Sequence, residues 1–271
     1  MKYNVYDYFQ KYTTDPLYLK LFAVWACVAS IIAIFWCLHR VIKKKDYLPL
    51  LAWIGGFIAS FNEGSMDLVA HLYWPLNTVD VTGVAYWNAG NPIPSWAPIC
   101  YAFFVGLSGY YCYTKMEKGI TIKSLFKLFI IMMILEAALE IPATIMGAYV
   151  YDKQPLMIMG FPLWAAWVNG FGYVLLGALM YYFVPILKKG WRMSLIPLLV
   201  PFAFTAAWPM ILWPVYISLN WSGTSTVPVV GQYLLTILSL CLAILGITGL
   251  ASAVCTDSKW RLLRSTEKMN I

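Results

Sequence analysis

Apolar residues gather into seven long blocks along the chain, separated by short polar stretches that hold most of the charge. The blocks run Tyr18–His39, Leu48–Ala70, Pro94–Tyr113, Ile122–Tyr149, Ile158–Ile186, Met193–Tyr216 and Pro228–Val254. Each has about 20 or more residues, enough at about 1.5 Å per residue to cross about 30 Å of hydrocarbon. Helices follow, because a segment in lipid must satisfy every backbone polar group internally. The pattern predicts an all-α integral membrane protein, a seven-transmembrane-helix bundle forming one domain over residues 1–271. It leaves no soluble domain, no evident internal repeat and no low-complexity linker.

Composition sharpens this picture. With 61% hydrophobic and 11% charged residues and a mean hydropathy of +0.70, the chain lies far from soluble proteins. A soluble enzyme, a nucleic-acid binder and a disordered scaffold are excluded. The net charge of +7 is a matter of placement. Fifteen of the nineteen Lys and Arg residues fall in or beside the first, third and fifth connections and the tail, among them Arg40, Lys43–Lys45, Lys115, Lys118, Lys188, Lys189 and Lys259. The positive-inside bias then predicts an N-terminus outside and a C-terminus in the cytoplasm, in a plasma or inner membrane. The first span is expected to be retained, since no cleavage site precedes or follows it. Membrane lipids, anionic ones at the basic face, are the expected surroundings. The six cysteines lie in or at the ends of apolar blocks without CxxC spacing, and read as small apolar fillers. Two histidines, His39 and His71, are too few for a histidine-rich hydroxylase or a seven-helix zinc hydrolase.

The connections expected outside differ in kind. His71–Asn91 has no Lys or Arg and carries Tyr73, Trp74, Tyr86 and Trp87; the last, Leu219–Val227, carries Trp221. Such aromatics serve as interfacial anchors, with a lid over an outward cavity as the alternative.

Four acids interrupt the blocks: Glu63 and Asp67 in the second, Glu136 and Glu140 in the fourth. Charge inside a bilayer faces the bundle interior and finds a partner. Glu63, Asp67 and His71 run i, i+4, i+8 on one helical face, and Glu136 and Glu140 are also one turn apart. Counting residues from the cytoplasmic ends puts the two pairs at matching depth within about one turn. Both acidic faces are therefore expected to line one cavity in the outer half of the membrane. With no intramembrane Lys or Arg beside them, they cannot all ionise, and at least one is expected to stay protonated as a general acid. The competing reading makes them hydrogen-bonding glue between helices, satisfied by Asn62, Ser65, Thr144 or Asn169. Tyr101, Trp164, Trp167, Asn169 and Trp208 are the expected neighbours, with Asn62 and His71 also in reach of a substrate. Aromatic faces can steady a cation by about 0.5–2 kcal/mol each. Gly106–Tyr110 and Gly170–Gly177 suit close helix packing, within the chain or between copies, and the oligomeric state stays open.

Several functions share these features. A retinal photoreceptor needs a lysine in the seventh span, and Pro228–Val254 has none. A ligand receptor and a proton-coupled transporter remain alternatives. No cofactor is expected, although Glu63, Asp67, His71, Glu136 and Glu140 form a chemically reasonable set for a divalent Mg, Mn or Fe ion. An integral membrane enzyme using a protonated acid on a lipid-soluble small molecule accounts for the most observations together. A small seven-helix chain with Asn62–Glu63 in its second span resembles the membrane-bound terpene cyclases of fungal meroterpenoid and indole-diterpene pathways. The resemblance implies protonation of an epoxide or alkene and carbocation cyclisation of an isoprenoid, an isomerase or lyase type of chemistry. That family's second acid lies in the seventh span, where this chain has none, and Asp257 falls beyond its inner end; Glu136 and Glu140 take that role. The expected mechanism has Glu63 or Glu136 donating a proton and Asp67 or Glu140 holding the geometry and later accepting one. Trp164, Trp167 and Trp208 are expected to flank the cation.

Overall fold

The computed structural model describes residues 12–88, 90–152, 154–219 and 229–256. The connection with Trp221, the basic residues Lys2, Lys11, Lys153, Lys259, Arg261, Arg264 and Lys268, and Asp257 lie outside the described residues. The chain is mostly helical. Five helices among the described residues are long and apolar enough to cross a membrane: Pro16–Lys44, Ile122–Ile145, Leu163–Leu187, Gly190–Leu219 and Val230–Thr256.

Helix α1 (Pro16–Lys44) starts on the Asp15 carboxylate, which accepts the Leu17 N–H at 2.8 Å, with proline at its first position. It stops at Lys45 in the left-handed region, whose N–H returns to the Arg40 and Val41 carbonyls. The second apolar block is not one continuous α-helix. It divides into α2 (Leu48–Ala59), a 3-10 turn (Ser60–Asn62) and α3 (Glu63–Ala70). The turn has visible causes. The Ser60 carbonyl accepts the Glu63 N–H and also the Tyr86 hydroxyl at 2.7 Å, while the Asn62 amide donates to the Thr205 hydroxyl. A mid-helix 3-10 turn is a common mark of a functional position. Here it makes Glu63 the first residue of α3.

The loop expected after this block is structured. Strand β1 (Leu72–Tyr73) pairs antiparallel with β4 (Val150–Tyr151), α4 (Thr78–Val81) is a single turn, and β2 (Val84–Asn88) pairs with β3 (Asn91–Pro94). Helix α5 (Trp96–Glu117) and α6 (Ile122–Ile145) follow, the latter capped by the Thr121 hydroxyl, which accepts the Ser124 N–H at 3.2 Å. A hairpin of β5 (Met157–Ile158) and β6 (Phe161–Pro162) leads into α7 (Leu163–Leu187), so the fifth block begins with strand and turn rather than helix. A 3-10 segment (Gly190–Leu198) continues into α8 (Leu199–Leu219), and α9 (Val229–Thr256) ends the described chain. The three ribbons gather at one end of the bundle, where Tyr12 and Thr14 also dock by hydrogen bonds to Tyr73 and Met146. At the other end, Arg40 pairs with Asp46 at 2.5 Å, and the Tyr110 hydroxyl donates to the same carboxylate at 3.2 Å.

Small residues set how closely the legs approach. A Cβ on Gly106 of α5 would run into the Ala52 carbonyl of α2, and one on Gly56 of α2 into the Tyr101 carbonyl. Gly177 and Gly109 stand in the same relation between α5 and α7, against Cys112 and Leu176. The glycine stretches singled out in the sequence thus serve contacts within the chain.

Candidate functional site

The cavity lies in the half of the bundle nearer the ribbons, where α3, α5, α6, α7 and α8 converge. It contains about 670 Å³ of unfilled space, counted out to its mouth. Glu63, Asp67, Glu136 and Glu140 all line it, each less than 9% exposed. The expected convergence of the two acidic faces therefore holds in the geometry. Among the described residues, no Lys, Arg or His stands in the wall.

Each carboxyl is held by neutral donors from other elements. On α3, Glu63 accepts from the Tyr101 hydroxyl of α5. One turn on, Asp67 Oδ2 accepts the Trp74 indole N–H at 2.8 Å and the Asn91 amide at 3.2 Å. Asn91 is fixed in turn, because its Oδ1 accepts the Trp74 backbone N–H at 2.9 Å and its amide also reaches the Leu72 carbonyl. On α6, Glu136 accepts at both oxygens, from Asn169 Nδ2 at 2.5 Å and the Tyr173 hydroxyl at 2.5 Å, both on α7. Trp208 of α8 donates to Asn169 Oδ1 at 3.0 Å. Glu140 Oε2 accepts from the Tyr151 hydroxyl of β4 at 2.7 Å, one helical turn along the same face from Glu136. Burial pushes the Tyr151 phenol well above its ordinary range, so it keeps the proton it donates.

Apolar and aromatic groups complete the wall: Phe22, Trp96, Phe104, Tyr149 and Phe204, with the Cys100 thiol. Tyr173 stacks on Phe204 with ring centroids 5.8 Å apart, and Trp74 meets Trp96 edge-on at 5.5 Å. The buried Trp96 indole N–H has no acceptor among the described residues.

Of the expected substrate contacts, Tyr101, Asn169 and Trp208 stand in the wall. Four others do not. His71 follows the end of α3 in the left-handed region (φ 51°), so the helical i, i+4, i+8 face does not continue to it. Asn62 is spent on the 3-10 turn and its bond to Thr205. Trp164 stands behind the wall, edge-on to both Tyr151 and Trp208, with its indole N–H donated to Gln154 at 3.0 Å. Trp167 points to α9, donating to Ser239 at 3.1 Å. The loop aromatics were expected as anchors. Trp87 is exposed as an anchor would be, but Trp74 is buried and belongs to the site.

Sequence reasoning missed Tyr173, Tyr151, Trp74 and Asn91. One signal was available for Tyr173, which follows Asn169 by one helical turn and so shares its face. The others come from the short strands and turns between the helices, Tyr151 on β4, Asn91 on β3 and Trp74 just after β1, whose position no periodicity reveals. Among the described residues, no group of three or more His, Cys, Asp or Glu side chains is placed to hold a metal ion. Compared with known proteins, the chain matches no family model, no curated protein and no solved structure.

Proposed function

We propose that this is an integral membrane enzyme that uses buried carboxylic acids for acid–base chemistry, cyclisation or isomerisation, on a hydrophobic isoprenoid-type molecule. The observation that carries the reading is the wall itself: four carboxyl groups from two helices around one aromatic cavity, with no cationic side chain among its described residues. Acids so placed cannot all ionise, since nothing nearby offsets the charge. A carboxyl O–H delivers its proton to an alkene carbon or an epoxide oxygen, leaving a carboxylate and a substrate cation. The cation closes a ring, and the cyclised cation returns a proton to a carboxylate, so the product keeps the mass of the substrate. Aromatic rings at Tyr173, Phe204 and Trp208 suit the passing cation, and a dry pocket spares it from capture by water. The unpartnered Trp96 N–H supports a substrate that brings an oxygen to the wall.

The same reading places all seven helical legs across the membrane. The α2–3-10–α3 leg and α5 would be the two whose polar cargo lowers their hydropathy. The basic end then faces the cytoplasm and the ribbons face outward. A reporter fused at Lys44 is expected to report the cytoplasmic side; an external signal there would reverse the topology.

The activity is tested with purified protein and a panel of linear and epoxidised prenyl compounds, followed by chromatography and mass spectrometry. A product of unchanged mass and altered retention is expected. Glu63→Gln and Glu136→Gln keep shape and hydrogen bonds but disrupt proton handling, and should lower turnover by about 10²–10⁴-fold while the protein elutes as a folded species. No conversion by the natural protein, or unchanged turnover in both variants, returns the acids to a helix-packing role.

A further inference from the structure

The two acids of α6 are not equivalent, and their surroundings distinguish them. Two carboxyl groups one turn apart on the wall of a dry cavity, with no cation among the described residues of that wall, cannot both ionise, so one proton stays with the pair. The Trp208 indole can only donate, so it commits Asn169 Oδ1 as the acceptor and turns Asn169 Nδ2 toward Glu136. An amide N–H cannot accept, so Glu136 Oε1 meets a fixed donor. Its Oε2 meets the Tyr173 hydroxyl. Glu136 therefore has neutral donors on both oxygens, the arrangement that favours the charged form of a carboxylate. Among the described residues, the Glu140 carboxyl has one donor, Tyr151. The other ionisable groups lining the cavity among the described residues are Glu63, Asp67, Cys100, Tyr101, Tyr149, Tyr151 and Tyr173, and none of these is a cation.

We propose that Glu140 carries the proton of the α6 pair while Glu136 is its standing carboxylate, with Asn169 and Trp208 as the positioning residues that hold this order. The use made of the proton rests on the enzyme reading above: Glu140 becomes the general acid, and its O–H bond breaks as the substrate gains a C–H or O–H bond. Two adjacent carboxylates then face the substrate cation, and either return of the proton or ring closure with proton loss relieves them.

The test reads protonation directly, without substrate, by infrared spectroscopy of protein carrying carboxyl-labelled glutamate. Difference spectra between natural protein and each variant cancel Glu63 and exclude Asp67. The label-sensitive band of a protonated carboxyl is expected to vanish in Glu140→Gln and to persist, shifted, in Glu136→Gln. Conservative ring variants provide a second reading should either glutamine variant fail to fold. Tyr151→Phe should move the protonated band upward in frequency, whereas Tyr173→Phe should act mainly on the carboxylate band. Asn169→Leu should displace both bands, and Trp208→Phe should do the same to a smaller extent, shifts that a purely structural role would not produce. A protonated band that vanishes in Glu136→Gln and survives in Glu140→Gln overturns the assignment, as does a reversed response of the two tyrosines. Unmoved bands in the Asn169 and Trp208 variants overturn their positioning role. Failure of the prenyl panel leaves these spectra untouched, so the two readings fail separately.

Discussion

The acid pairs of α3 and α6 have the same one-turn spacing, and the structure gives them different lives. On α6, an unbroken helix keeps Glu136 and Glu140 one turn apart on one face, with the donors of Glu136 coming from α7 and that of Glu140 from β4. On α3, the 3-10 turn just before Glu63 and the left-handed stop at His71 leave an eight-residue helix whose two acids are drawn to different partners. Glu63 goes to Tyr101 of α5, and Asp67 goes to the Trp74–Asn91 corner of the loop. Spacing makes two carboxyls neighbours. What each accepts from elsewhere decides whether they work as a pair that shares a proton or as two separately anchored groups.

The widest gap between the two helices is expected in turnover. Glu140→Gln should cost about 10²–10⁴-fold, the usual contribution of a positioned general acid. Asp67→Asn keeps an acceptor for Trp74 and Asn91 and should cost less than about tenfold by the same measure. Equal losses in a prenyl-conversion assay would erase the distinction drawn here.

Stability should separate the pairs in the opposite sense. Asn91→Ala strips one donor from Asp67 and leaves the Trp74 backbone N–H buried without its acceptor, a cost of about 1–3 kcal/mol in thermal or denaturant unfolding in detergent. Tyr151→Phe removes one hydroxyl beside Glu140 without stranding a backbone group, and about 0.5–1.5 kcal/mol is expected. A larger loss for Tyr151→Phe would show that the loop corner at Asp67 is the less committed structure.

The scaffold under both pairs has its own test. Gly106→Ala pushes a methyl into the α2 backbone and should destabilise by about 1–3 kcal/mol through overpacking. Gly249→Ala, with nothing within 4 Å of the added carbon, should be neutral or stabilise by up to about 1 kcal/mol through helix propensity. At the far end, Arg40→Gln removes a partly exposed ion pair with Asp46, and a change within about 1 kcal/mol is expected. An effect above that would mean the basic end supports the site more than its distance suggests.

Much of the site was readable before any coordinates. Glu63, Asp67, Glu136 and Glu140 stand out because a carboxyl in an apolar block has nowhere to go but inward, and a residue count at about 1.5 Å each matches their depth. Asn169 and Trp208 were readable for the same reason, as polar or amphipathic groups in the half of a span level with the acids. The failures are of another kind. His71 was extrapolated along a helix that stops one residue earlier. Trp164 and Trp167 have the right depth, yet their side chains meet Gln154 and Ser239 rather than the cavity. Trp74 looked like an anchor because nothing local distinguishes a loop tryptophan at the interface from one folded inward.

The apolar blocks, the helical class, the membrane environment and the presence of four inward acids were determined by the sequence by itself. These rest on transfer free energies that each residue carries with it and that add along a segment. The break at Ser60–Asn62, the ribbons, the orientation of Asn169 and the choice of one or two donors for each carboxyl were decided only by the tertiary structure. A hydrogen bond forms when groups from different helices and loops meet within about 3 Å. That coincidence depends on how every leg packs against the others, and no stretch of the chain contains it alone.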